Sequence, residues 1–332
     1  MLSRTRIAAL LPLMLIGCGG AEPAAEPAVD ATTGAEVEAP PPRPTGPPMS
    51  HATAEHDVRA VIDMERVRSS SLSDDIGSAV RGYPTWRELL GDSGIDPVRD
   101  FDRVLVTASG SMAGDGVMLV RHNMTSARVR EAVLNMSVER GERPSWRQEG
   151  GFDVVDWPAD TDPPRLVVIT ADNEIAVTTA AALPHVLEVA RDHQLRREGD
   201  ETIEPAMTLE DGVIISANAS NLSAATTRRI QHPPESIELV LRDDEAEEGR
   251  VHLEAQGSYA DDASAGAAAT WFREQRDFYA GQMLVRAVGL DRPLREAEIG
   301  AEGSRVDLRA SFTEEELERV LGLLALQQMG GG

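Results

Sequence analysis

The C-terminal third of the chain alternates apolar and polar residues with a period of two. In SRVDLRASF, Val306, Leu308, Ala310 and Phe312 stand against Arg305, Asp307, Arg309 and Ser311. RVHLEAQG sets Val251, Leu253 and Ala255 against His252, Glu254 and Gln256, and SIELVLR offers Ile237, Leu239 and Leu241. Successive side chains of a strand point to opposite faces, so this pattern requires an antiparallel sheet with one packed and one wetted face. RVLVTA (103–108), GVMLVR (116–121), RLVVIT (165–170), EIAVTT (174–179) and GVIISA (212–217) are apolar without clean alternation. They read as more deeply buried strands.

GSMAGDG, TADNE and DDEAEEG lie between paired runs and read as hairpin turns. Helical spacing appears in TSARVREAVLNM, through Val129, Ala132, Val133 and Met136. It recurs in ALPHVLEVARDH, through Leu183, Val186, Leu187 and Ala190. The longest helical candidate is ATWFREQRDFYAGQMLVRAVG. The last helix opens on a capping box, Thr313-x-x-Glu316, and carries Leu317, Val320, Leu321 and Leu324 as its apolar stripe. From Asp57 and again from Asp211 the order is strand, helical region, two strands, helix, further strands, helix. The chain therefore reads as an α+β protein: a mainly antiparallel sheet with helices packed on one face, in two similar halves at 51–200 and 201–332.

Ahead of the halves, Arg4 and Arg6 precede an apolar run, Ile7 to Ile16, that ends at Cys18, the single cysteine. A charged start and an apolar core too short to span a bilayer describe a secretory signal. Leu15-Ile16-Gly17-Cys18 closely resembles the lipobox of bacterial lipoproteins. The resemblance implies removal of residues 1–17, diacylglycerol and an acyl chain such as palmitate on the new N-terminal Cys18, and residence in the cell envelope. Gly19, by the same resemblance, favours the outer membrane. Two or three acyl chains, at about 0.8 kcal/mol per buried methylene, make a durable anchor. Residues 18–50 then form the lipidated end and a Pro/Ala-rich tether. Its composition cannot offset the entropy of ordering. As a coil it would span on the order of 30 Å, and stretched about 100 Å.

The formal charge is −24, and loss of Arg4 and Arg6 leaves 30 basic against 56 acidic residues. Such a chain is repelled by nucleic acid and by anionic lipid headgroups. Contact with the membrane is then expected through the anchor alone. There is no lysine, which excludes Schiff-base chemistry and a P-loop. No disulfide can form within the mature chain once Cys18 is acylated.

Residues 83–106, YPTWRELLGDSGIDPVRDFDRVLV, resemble a segment of lipoproteins from myxobacteria and their relatives to which no activity is assigned. Gly94, Asp96, Pro97, Asp100, Asp102, Arg103, Val104 and Leu105 fill its G-x-DP-x-x-D-x-D-R-(V/I)-L pattern. Asp96, Asp100 and Asp102 are weak candidates for a hard cation, against the commoner use of such residues in turn capping and an Arg103 ion pair. Asp74 and Asp75 lie upstream. The five carboxylates of RDDEAEEGR read as a solvated hairpin tip. Trp271, Phe272, Phe278 and Tyr279 make two adjacent helical stripes, a candidate ligand face or part of the core. His51 and His56 fall at the end of the tether, His185 and His193 are eight apart on a helix, and His122, His232 and His252 are scattered. None has zinc-ligand spacing. GSMAG lacks the central serine of a nucleophile elbow. The expectation is a chain that is not an enzyme and has no cofactor or metal. Its role would be binding or structure, with an envelope protein as partner. The alternatives are a carrier or chaperone for a lipophilic ligand or peptide, and an enzyme with an acidic site that no motif reveals.

Overall fold

The computed structural model describes residues 44–54, 56–70, 73, 77, 90–109, 116–139, 141, 143–157, 163–197, 204–222, 230–243, 249–313, 315–317 and 319–320. Cys18, Asp74, Asp75, the GSMAGDG turn up to Asp115 and most of the 242–250 acidic tip lie outside the described residues. So does the C-terminal helix beyond Val320.

Among the described residues twelve strands form one sheet, in the order β11-β12-β10-β9-β8-β1-β2-β3-β7-β6-β5-β4. They are β1 Val58–Asp63, β2 Phe101–Ala108, β3 Val117–His122, β4 Arg147–Glu149, β5 Phe152–Asp156, β6 Arg165–Ala171, β7 Glu174–Thr179, β8 Val213–Ser220, β9 Ser236–Asp243, β10 Arg250–Ser258, β11 Glu298–Glu302 and β12 Arg305–Thr313. Every pairing is antiparallel. The chain is an α+β protein. Among the described residues its helices include α1 Met64–Ser69, α2 Pro97–Asp100, α3 Ser126–Glu139, α4 Leu183–Arg196, α5 Asp262–Ala280, α6 Met283–Ala287 and α7 Asp291–Glu296.

The two halves meet where β1 pairs with β8, Ala60 facing Ala217. Outward from that seam the first half runs β1-β2-β3-β7-β6 and the second runs β8-β9-β10-β12-β11. These are the same topology, with a helix, α3 or α5, inserted between the third strand and the last two. The repeat of element order in the sequence is thus a repeat of sheet order. The hairpin β4–β5 is an addition to the first half.

Cross-strand registers carry one face from β12 to β3. Phe312 meets Val251, Leu253 meets Leu241, Leu241 meets Ile215, Ile215 meets Ile62, Ile62 meets Val104, and Val104 meets Val120. On this front face α1, α2 and α3 supply Met64, Val67, Val98 and Val129 to the core, with Val133 and Met136 against Val155, Val167 and Val177. Helix α5 lays Ala265, Ala268 and Ala269 against Ile299 and Val306. The small alanines let it lie close to the sheet, and Asp261 starts it by accepting from the Ser264 amide.

The back face differs between halves. In the first half Val61, Leu105, Leu119, Val154, Val168 and Ala176 are covered by Leu183, Val186 and Ala190 of α4 and by Ala206 and Met207. In the second half the back face carries Glu238, Arg242, Glu254, Gln256, Asp307 and Arg309. These bond among themselves, as Gln256 Nε2 does to Asp307 Oδ1 at 2.8 Å. Helices on one face therefore describe the second half, and the first half has them on both. The capping box at the last helix is formed: the Thr313 amide donates to Glu316 Oε2 at 2.9 Å and the Glu316 amide to Thr313 Oγ1 at 3.4 Å. Leu317 joins the front-face core. No described helix is long and apolar enough to cross a membrane.

Candidate functional site

Helix α4 is amphipathic, and its ends carry polar side chains toward the back of the first half. Residues 46–51, of which 46–50 read from composition as the last of the tether, lie across this helix as a strap. Arg196 Nη1 donates to the Gly46 carbonyl at 2.8 Å, and the Met49 amide donates to Asp192 Oδ2 at 2.9 Å. His193 Nε2 donates to the Met49 carbonyl at 2.7 Å and His185 Nε2 to the Ser50 carbonyl at 3.2 Å. Residues eight apart share a helix face, so both histidines address adjacent carbonyls of the strap.

Glu204, which caps the short 3-10 turn Pro205–Met207, completes the fastening. Its Oε1 accepts from Ser50 Oγ at 2.7 Å and from the Ala206 amide at 2.9 Å. Its Oε2 accepts from the His51 amide at 3.1 Å and from His51 Nδ1 at 2.7 Å. His51, His193 and Glu204 are 0%, 1% and 3% exposed. Burial pushes the Glu204 carboxyl up, but the bond to and charge of His51, with the Ser50 hydroxyl and the Ala206 amide, bring it down to about 2. Burial lowers the pKa of His193, against the Met49 carbonyl bond and the charge of Glu204. The rings of His51 and His193 meet edge to face with centroids 5.7 Å apart. Sequence reasoning missed this cluster because its strap member lies more than 140 residues from the others and no local motif joins them. The spacing of His185 and His193 was the one local signal.

The acidic candidates do not converge on an open point. Asp96 caps α2, accepting from the Val98 amide at 3.0 Å. Asp100 accepts from Arg99 Nε at 2.6 Å and from the Asp96 amide at 2.8 Å. Burial pushes the Asp100 carboxyl up, yet these bonds and the charge of Arg99 leave it below its ordinary value. Asp102 pairs with Arg68 Nη2 at 2.8 Å, and Arg103 pairs with Asp63 at 3.2 Å. The three carboxylates are occupied in capping and ion pairing.

The aromatic helix α5 divides its four rings. Phe272 packs against the Ala265, Ala268, Ala269, Ile299 and Val306 core, and Tyr279 is buried. Trp271 is half-buried with its ring edge-on to Phe272 at 5.0 Å. Phe278 is 49% exposed and meets Tyr279 at 5.4 Å. An open depression of about 480 Å³ is lined by Glu274, Gln275, Phe278 and Tyr279, and Met283 and Leu284 of α6 are exposed nearby in sequence. The face offered to a ligand is therefore narrower than the two stripes imply: of the four rings, only Phe278 and Tyr279 line the depression.

No family model matches the chain, and no curated protein matches it. Among solved structures it is similar to TP0453 in the structure of its crystal form I, with 11% identity and a TM-score of 0.45, over 85% of this chain and 99% of that one.

Proposed function

We propose that the chain is a lipid-anchored protein of the bacterial envelope whose role is binding or structural rather than catalytic. The observation that carries this reading is the strap joined to the lipobox. The segment that would bear the pull of an anchor at Cys18 enters the body at residues 46–51 and is fastened there to α4 and Glu204. A load on the tether then falls on hydrogen bonds spread over several residues, from the exposed Arg196–Gly46 bond inward to the buried His51–Glu204 bond. The wet back face of β9, β10 and β12 is the surface such a tether would leave free for an envelope partner, with its interspersed Arg, Asp and Glu. The outer membrane is the expected address.

The test is metabolic labelling with palmitate, followed by fractionation. The native chain is expected to take up label and sediment with membranes. Cys18→Ser is expected to lose the label and appear in the soluble fraction. Label retained by Cys18→Ser contradicts the anchor. Metal-dependent hydrolysis by the purified chain that Asp100→Ala or Asp102→Ala abolishes contradicts the non-catalytic role.

The exposed Phe278, which lines the 480 Å³ depression, and the exposed Met283 and Leu284 that follow it in sequence favour a second reading, a carrier or chaperone for a lipophilic ligand. Co-purified lipid in native mass spectrometry, lost in Phe278→Ser, supports it. A chain free of lipid opposes it.

A further inference from the structure

The buried polar cluster behind α4 has capacity that the strap does not use. A carboxylate and a backbone carbonyl can only accept, so His51 Nδ1 carries the proton it gives to Glu204. His193 Nε2 likewise carries the proton it gives to Met49. The opposite ring nitrogens, His51 Nε2 and His193 Nδ1, are buried and have no hydrogen-bond partner. An unmet buried polar atom is destabilising, and two of them in neighbouring rings require an explanation. One ring nitrogen from each histidine and a carboxylate oxygen of Glu204 also lie within 4.8 Å of one another.

Each histidine has the arrangement found around metal ligands. One ring N–H is fixed on a carboxylate or a backbone carbonyl, which sets the tautomer and ring orientation and leaves the other nitrogen for the ion. Two imidazoles suit zinc and its neighbours, whereas calcium and magnesium favour oxygen alone.

We propose that His51 Nε2 and His193 Nδ1 bind a divalent transition-metal ion of the zinc class, with Glu204 fixing the His51 ring from behind and water in the remaining positions. The residues come from the strap, from α4 and from the segment before β8, and their burial keeps substrates out. The ion is a structural staple, closing loops of more than 140 residues in a chain that has no disulfide. This inference does not depend on the lipid anchor. It revises the expectation of a metal-free chain.

The experiment uses the complete mature sequence with Cys18→Ser, stripped of metal and titrated with Zn²⁺ and Co²⁺. One equivalent of zinc is expected to bind and to raise the unfolding midpoint. His51→Gln and His193→Gln are each expected to weaken binding by about 100-fold or more, and His232→Gln to leave it unchanged. X-ray absorption of the zinc-loaded chain with both histidines intact is expected to show two imidazole ligands, a readout that stands even if the histidine variants fail to fold. Failure of that chain to bind zinc, which would leave the cluster holding a buried water only, overturns the proposal. So does a zinc spectrum without imidazole, or undiminished binding in folded His51→Gln and His193→Gln.

Discussion

The two halves of the sheet share strand order but differ in the path the chain takes beyond their last strand. After β7 the chain crosses to the back of the sheet as α4, and the strap and the 205–207 turn fill in around it. After β12 it stays at the front, where Leu317 enters the core and Arg292 pairs with Glu316. One placement of a helix thus decides whether five strands are buried on both faces or on one. It also decides their sequences, since a doubly buried strand is apolar throughout and a half-buried one alternates.

The largest effect should come from cutting into the doubly buried half. Leu105→Ala, at a fully buried back-face position, is expected to cost about 3 kcal/mol in urea unfolding. Val240→Ala, on the wet back of β9, is expected to cost about 0.5 kcal/mol or less. Equal costs would erase the contrast between the halves.

The next effect concerns the fastening of the strap, measured with a chelator present. Glu204 is held at about 2 against an ordinary 4.5, so its contribution is complete above pH 4.5 and is lost as pH falls toward 2. The shift corresponds to about 3 kcal/mol. The buried His122 and His193 are lowered from 6.5, so the unfolded chain takes up protons first and stability falls as pH drops below 6.5. Urea midpoints across pH should therefore decline in two stages. Glu204→Gln should reduce the lower one, to which Asp100, Asp192 and Glu316 also contribute, and His193→Gln should reduce the upper one.

Smaller still, Thr313→Ala removes one side of the capping box in the second half and is expected to cost about 1 kcal/mol. Asp307→Asn on the wet face, where the partner Gln256 remains, should stay within about 0.5 kcal/mol.

These contrasts mark what the sequence could show. Period-two alternation in 236–242, 250–257 and 304–312 located β9, β10 and β12, because a wet face forces polar residues into every second place. The apolar runs located β2, β3, β6, β7 and β8 for the opposite reason. Which helix covered the second face was not legible, since α3 and α4 are both amphipathic and periodicity does not say which side of a sheet a stripe meets. Helix α5 begins at Asp262, seven residues before the aromatic stretch that marked it, because an alanine-rich turn has little periodicity of its own. It stops at Ala280, and α6 begins at Met283. Strands β4 and β11, three and five residues long, are too short to stand out. The His51–His193–Glu204 cluster depends wholly on long-range assembly, and tether-like composition around Pro47 and Pro48 concealed the strap.

The most direct measurement is thiol labelling in a Cys18→Ser background, which leaves the chain free of cysteine. Single cysteines at Ala176 and Val168 probe the back of the first half, and at Glu238 and Arg309 the back of the second. Glu238→Cys and Arg309→Cys should react at the rate of an exposed thiol, and Ala176→Cys and Val168→Cys only as the protein unfolds. Similar rates at all four positions would contradict a sheet closed behind its first half and open behind its second.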